Sequence, residues 1–258
     1  NPMQFIKEYD ELIVKPKKIY RDTRCRWSTP YDSMANMITE ALLGRHASCG
    51  MGIWNTIKRC QTMITPLFDE FITAEFSGKI SYLNLVKEYY EKQITIPDNF
   101  KSIWNSEMLK EHFINDRMFM ANHTIPMNLN QLDYDNLIFE NGQGLMLCDT
   151  GKDTYDTTPS NTGILYSLEL MQNMKDIDVT AHYVTRPYLT RHGDGYIFSW
   201  SNRENIWKDV QEDRTNKYNE FQGKFRYGSL NISDLKNRII KDSARAISFD
   251  TPINVELD

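Results

Sequence analysis

The sequence lacks a surplus of charge of either sign. Thirty Lys and Arg stand against 35 Asp and Glu, a formal net charge of −5 over 258 residues. The two signs are interspersed, so the basic excess that a dedicated DNA or RNA surface needs is missing; a local basic pocket for a small anion is compatible with this balance. The sequence also lacks a long apolar run. Nothing approaches the roughly 18 residues of a membrane-spanning helix, and no secretory signal stands out, so no nucleic-acid or membrane partner is expected. It has no Cys-x-x-Cys pair. Its four cysteines, Cys25, Cys49, Cys60 and Cys148, have no nearby histidine framework for zinc, and four free thiols in a reducing cytosol are expected. Internal repeats, low-complexity stretches and an obvious linker are absent too, which favours a single α/β domain over residues 1–258.

What is present is enough apolar and aromatic material, 40% and 12%, to bury a substantial core. The ends, Asn1 in place of Met and a closing "TPINVELD", suggest a piece cut from a longer chain, truncated at both ends. Helical spacing with Pro at a first helical position predicts a helix over 2–14. "STPYDSMANMITEALLG" predicts another over 28–44, with Ser or Thr caps, Met34, Met37, Ile38 and Leu42 on one face and a glycine stop. Residues 54–123 read as a mainly helical subdomain with a break near Pro66. From about 135 to 258 the character changes to a sheet-forming portion. A short buried strand is expected at "NLIFE" (136–140), a helix at 163–174, a strand at 178–189, a helix at 233–247 and a last strand at "INVEL" (253–257). Strands alternating with helices predict an α/β layer architecture.

Four glycine-bearing loops carry the chemical interest, because such loops gather at the carboxyl ends of strands where ligands bind. "ENGQGLMLCDTGKDTYDTTPSNTG" (140–163) combines glycines, which let backbone N–H groups approach a phosphate, with hydroxyl donors. It reads as a polar cradle for a nucleotide, or as a surface loop rich in turn formers. "SCGMGI" (48–53), followed by Lys58 and Arg59, reads as a phosphate loop or as a helix-capping loop; it is no P-loop, since the Lys-Ser/Thr pair is missing. "VTRPYLTRHGDGY" (184–196) places Arg186 and Arg191 before a Gly-x-Gly, and the planar arginine fork suits phosphate or carboxylate. His192 is either a proton-transfer group or structural. "EFQGKFRYGSL" (220–230) sets Lys224 and Arg226 between glycines, as a carboxylate-holding loop or a solvated basic turn.

Taken in order, these loops resemble the adenylosuccinate synthetase family. "FENGQGLML…YDTTPSNTG" is similar to that family's Phe-Glu-x-x-Gln-Gly-x-x-Leu segment with its later Thr-x-Ser-Asn-Thr, and "YVTRPYLTRHGDG" to its Tyr-x-Thr-Arg-x-Gly-x-Gly loop. "SCGMGI" stands where the family has Thr-Thr-Gly-x-Gly-Ile, and "FQGKFRYGSLN" where it has an arginine-rich loop. The final "VELD" falls where it has Thr-Lys-Leu-Asp. The likeness runs from about residue 46 to the end, specific in the loops and weak in the helices between them.

The resemblance implies a P-loop-NTPase-like central mixed sheet with a mainly helical insertion. It implies a cytoplasmic, homodimeric ligase of purine biosynthesis that joins L-aspartate to C6 of IMP with GTP and Mg²⁺. Carried over at matching positions, Ser48, Cys49, Gly50, Arg59, Gln143 and Thr158 would hold the purine nucleotide, Arg59 reaching that of the neighbouring subunit. Gly223, Lys224 and Arg226 would grip aspartate. Arg191 and Asp258 would serve the nucleoside triphosphate. Departures are Cys49 for Thr, Lys224 for Arg and Glu256 for Lys. They turn attention to phage-type synthetases, some of which make 2-aminoadenylosuccinate from dGMP and some of which use ATP. The family's Gly-Asp-Glu-Gly-Lys-Gly and Gly-His-Asn-x-Gly-His segments would precede Asn1. The general base, the catalytic histidine and the Mg²⁺ ligands are therefore expected outside this chain, with no metal ligand assigned within it. A reading from another class is a purine-nucleotide-binding module without catalysis.

Overall fold

The computed structural model describes residues 1–43, 48–129, 134–148, 158, 160–172, 174, 177–193, 195–201, 218, 221, 223, 225–249 and 253–257. The chain is a mixed α/β protein with small sheets. It divides into two compact units, one made of residues 1–44 and 50–131, the other of 45–49 and 132–258.

The first unit is mostly helical. In chain order it contains α1 (Pro2–Glu11), β1 (Tyr20–Asp22), α2 (Pro30–Leu43), α3 (Ile53–Thr62), α4 (Phe68–Thr73), α5 (Phe76–Glu91), α6 (Asp98–Trp104), α7 (Glu107–Asn122) and β2 (Ile125–Met127). Local chemistry sets the ends. The Asn1 side chain accepts from Gln4 N and Pro2 occupies the first helical position of α1. The Ser106 hydroxyl accepts from Leu109 N to start α7. The break expected near Pro66 separates α3 from α4, and Pro66 gives its carbonyl to Trp27 Nε1 at 2.9 Å. Helical spacing brings Leu83, Val86 and Tyr90 of α5 to one face. They pack with Trp27, Tyr31, Ala35, Ile38, Phe71, Trp104, Phe113 and Ile114 in one core. Met34 and Ile38 of α2 are inside as expected, whereas Leu42, in the last turn of α2, is exposed. The helical subdomain expected over 54–123 thus lies within a larger helical unit that also takes in α1 and α2. β1 and β2 pair in parallel, Tyr20 opposite Ile125.

The second unit carries a 3₁₀ turn (Leu145–Leu147), α8 (Leu165–Met171), β3 (Val179–Tyr183), β4 (Tyr188–His192), β5 (Trp200–Ser201), β6 (Phe225–Ser229), α9 (Ile232–Ser243) with a 3₁₀ extension (Ala244–Phe249), and β7 (Ile253–Leu257). The Asn231 side chain caps α9 by accepting from Asp234 N. Its described strands form two sheets. β3 and β7 run parallel, Ala181 opposite Val255. β4, β6 and β5 form an antiparallel sheet with β6 in the middle.

Two local expectations change. "NLIFE" forms no strand, and Ile138 is exposed to 94%; a three-residue apolar run, Leu137 to Phe139, has no periodicity to fix its state. The strand expected over 178–189 is two strands in different sheets. Pro187, which has no N–H for a ladder, stands in the break between them.

Candidate functional site

The antiparallel register of β4 and β6 joins two of the four glycine loops. Arg191 lies directly opposite Arg226, flanked by Thr190 opposite Tyr227 and by His192 opposite Phe225. Residues opposite each other in such a ladder share a face, with Cβ atoms about 5 Å apart, and like charges in that relation repel. Alternation separates this face from its reverse. There Tyr188 and Tyr227 lie 6.0 Å apart, His192 and Phe225 4.5 Å, and Phe225 and Tyr227 5.2 Å between ring centroids. One face is therefore aromatic and the other carries two guanidinium groups.

The glycines define the end of the ladder beside the arginines. Gly193 and Gly195 follow β4 with φ of 71° and 102°, and Gly223 precedes β6 with φ of 66°. The turn after β4 lets Gly195 present its carbonyl to Arg226 Nη2 at 2.8 Å. Arg226 Nε is enclosed with no hydrogen-bond partner among the described residues. Arg191 and Arg226 are both half-buried. The unmet Nε donor of the half-buried Arg226 is suited to a carboxylate or phosphate. Lys224 and Asp258 lie outside the described residues.

The loop read as a polar cradle uses many of its polar groups on itself. Asn141 Nδ2 donates to Gly163 O at 3.0 Å, Thr162 Oγ1 to Gly144 O at 3.0 Å, and Thr158 N to Leu147 O at 2.8 Å. These three cross-links tie the outgoing limb to the returning one. Gln143 remains exposed. Thr158 is half-buried, its hydroxyl 3.5 Å from Ser160 Oγ. A hydroxyl at the closed base of a loop and an exposed carboxamide are what a phosphate and a purine edge would meet.

Ser48 and Cys49 are half-buried in the second unit; Gly50 is buried in the first. Gly52 starts α3 at φ 74°, its N–H donating to Asn36 Oδ1 at 3.1 Å. A Cβ there would lie 2.5 Å from the Asp32 carbonyl carbon. Of the two readings of "SCGMGI", helix capping describes what Gly52 does.

Arg59 is a core residue, 0% exposed. Its Nε donates to Asp32 Oδ1 at 2.8 Å and its Nη2 to Asp32 Oδ2 at 3.0 Å and to Trp27 O at 3.0 Å. Nη1 donates to Thr65 Oγ1 at 3.1 Å and to Tyr82 OH at 2.7 Å. All five N–H donors of the guanidinium are engaged, so none is left for a neighbouring subunit's nucleotide in this arrangement. Asp32 also accepts from Tyr90 OH at 2.6 Å. Burial, then the Asp32 charge and hydrogen bond, push the Tyr90 phenol well above its ordinary value. Asp32 and the hydrogen bond to it hold Arg59 charged against the opposing effect of burial, the largest single influence on it. Nearby, Arg117 stacks over Phe68 and Trp27 at 3.8 and 4.0 Å, and burial, then Arg21, lower its guanidinium.

The sequence reading passed over Asp242. Along α9 and its 3₁₀ extension, Leu235, Ile239, Asp242 and Ala246 recur at helical spacing, and Ile239, Asp242 and Ala246 are buried. An acidic residue on an apolar stripe is the signal that could have found it. Among the described residues no group of three or more His, Cys, Asp or Glu is placed to hold a metal ion, and no helix is long and apolar enough to cross a membrane. Compared with known proteins, the chain matches no protein-family model and no curated protein sequence.

Proposed function

We propose that this chain carries the anion- and purine-binding loops of an adenylosuccinate-synthetase-like ligase, which joins L-aspartate to C6 of IMP at the cost of GTP. The observation that carries the reading is the placing of Arg191 opposite Arg226 beside Gly193, Gly195 and Gly223. Two loops that the resemblance assigns to separate ligands meet on one ladder, and the enclosed Arg226 Nε there is a donor that an anion can meet. In this reading β3 and β7 belong to a P-loop-NTPase-like central mixed sheet, and the helical unit is the insertion.

Roles follow from the chemistry of each group. Arg191 and Arg226 neutralise and orient a carboxylate of aspartate, so that its amine faces the purine. The exposed Gln143 carboxamide can pair with a purine edge, and the Thr158 hydroxyl can donate to the 5′-phosphate. Phosphoryl transfer to the purine O6 makes that oxygen a good leaving group, and the aspartate amine displaces it as phosphate. The chain contributes positioning and charge neutralisation to both steps. No described residue is assigned to the Mg²⁺ that such a reaction uses.

Titration calorimetry on the 258-residue chain with L-aspartate, IMP and dGMP tests the reading. Arg226→Met and Arg191→Met should each weaken aspartate binding by about tenfold or more, the usual loss for a hydrogen bond to a charged group, and leave IMP binding nearly unchanged. Preference for dGMP over IMP would move the assignment to 2-aminoadenylosuccinate synthesis. Nucleotide binding without aspartate binding would favour a non-catalytic purine-nucleotide module, and binding of none of the three would overturn the reading.

A further inference from the structure

Asp242 is almost wholly buried, at 3% exposure, and it sits against the returning limb of the glycine/hydroxyl loop. Its Oδ2 accepts from Ile164 N at 3.0 Å and from Tyr183 OH at 2.9 Å. Its Oδ1 has no hydrogen-bond partner among the described residues and lies 3.5 Å from Arg245 Nη1. The same guanidinium nitrogen is 3.9 Å from Cys148 Sγ, at the outgoing limb. A Cβ on Gly163 would come within 1.9 Å of Asp242 Oδ1, so only glycine admits the loop this close to the carboxylate. Asp242 at the end of α9 and Arg245 in its 3₁₀ extension thus reach both limbs of the loop.

A buried carboxylate is costly unless it is paired and hydrogen-bonded. Here the partners are a backbone N–H of the loop, a tyrosine at the end of β3 and an arginine of the 3₁₀ extension that follows its helix. Loop, strand and helix can satisfy the charge only together, which makes the carboxylate a three-way junction and not a local cap. The cross-link from Thr158 N to Leu147 O, next to the Cys148 that Arg245 approaches, then passes that position on to Thr158.

We infer that Asp242, with Tyr183 and Arg245, is a positioning residue that sets Thr158 for the phosphate of a purine nucleotide. The inference rests on the function proposed above. The node touches no ligand. It fixes where Thr158 stands, and its effect is confined to the phosphate end of the ligand.

The test compares IMP with inosine, which lacks the phosphate, by calorimetry on the intact 258-residue chain. Asp242→Ala should weaken IMP binding by about tenfold or more, the loss expected for charged acceptor bonds, and leave inosine binding unchanged. Asp242→Asn, which keeps an acceptor for Ile164 N, should restore part of the affinity. Tyr183→Phe, which leaves the carboxylate in place, should cost severalfold. Amide exchange at Ile164 should quicken in Asp242→Ala. Equal losses for IMP and inosine would mark a purely structural role and overturn the inference, as would unchanged IMP binding in Asp242→Ala. A wild-type chain that binds neither IMP nor dGMP would overturn the function; unchanged Ile164 exchange in Asp242→Ala would then overturn the clamp as well.

Discussion

The pair formed by Arg59 and Asp32 shows how far a residue's role depends on a partner distant in sequence. A cation six residues after a glycine-bearing loop reads as a ligand group. Its carboxylate partner lies 27 residues upstream, and no local pattern connects the two. Asp32 is tied to its own helix start, accepting from Thr29 N and Thr29 Oγ1 at 2.6 and 2.8 Å. It therefore serves as helix cap and as counter-ion at once. Arg59→Met would leave Asp32 charged and enclosed, and should lower stability by about 3–5 kcal/mol, read from urea midpoints. Tyr90 adds a pH dependence. Its folded-state phenol is raised, so the folded chain keeps a proton that the unfolded chain loses above about pH 10. The Tyr90 contribution is complete below that pH and is lost as pH rises beyond it. Tyr90→Phe should cost about 1–3 kcal/mol at neutral pH and make the alkaline loss of stability shallower. A slope above pH 10 identical to that of the wild type would refute this account of Tyr90.

At the scale of elements, helices were legible and strand partners were not. The spacing of Leu83, Val86 and Tyr90, and the Ser106 cap before α7, are local signals, and local hydrogen bonds fulfil them. Strands depend on partners. "NLIFE" had composition alone. Pro187 could warn of the break between β3 and β4, but not that the two strands would join different sheets. The facing of Arg191 and Arg226 is a register, fixed by which residues of β4 and β6 meet, and thirty-odd intervening positions conceal it from any reading along the chain. The loop glycines were legible as a class, yet they do different work. Gly52 is set by the packing of α2 against α3, with its left-handed φ and the Asp32 backbone immediately beyond its Cα. Gly52→Ala combines backbone strain with a collision against main chain that cannot rotate away. It should cost about 1–3 kcal/mol or more and shift the thermal midpoint downward. An unchanged midpoint would mean that α2 and α3 can separate without loss.

At the scale of the whole molecule, apolar burial is unevenly shared between the two units. The twelve-residue core that runs from Trp27 to Ile114 belongs entirely to the first unit, together with the satisfied Arg59–Asp32 pair. In the second unit the buried apolar side chains among the described residues are Cys148, Leu168, Ala181, Ile197, Ile239 and Ala246, spread over a 3₁₀ turn, two helical segments, a strand and a loop. Its sheets have two and three strands, and small sheets need further packing to be stable by themselves. Val184, Tyr196, Ile240 and Ile247 are at the same time exposed. Cooperative stability scales with buried contact, and ligand-bearing loops are commonly drawn from the less stable part of a protein. A chain of residues 1–131 should therefore unfold in a single cooperative transition, with helical circular dichroism retained up to it. A chain of residues 132–258 should melt at a lower temperature and over a broader range. Binding of IMP to the complete chain should raise the stability of the loop-bearing unit, by about 2.7 kcal/mol at a ligand concentration one hundred times Kd, and leave amide exchange in the core around Tyr31 and Val86 unaltered. Slower exchange around Tyr31 and Val86 with IMP present, or a cooperative transition in 132–258 as sharp as that of 1–131, would show that the two units share stability instead of holding it separately.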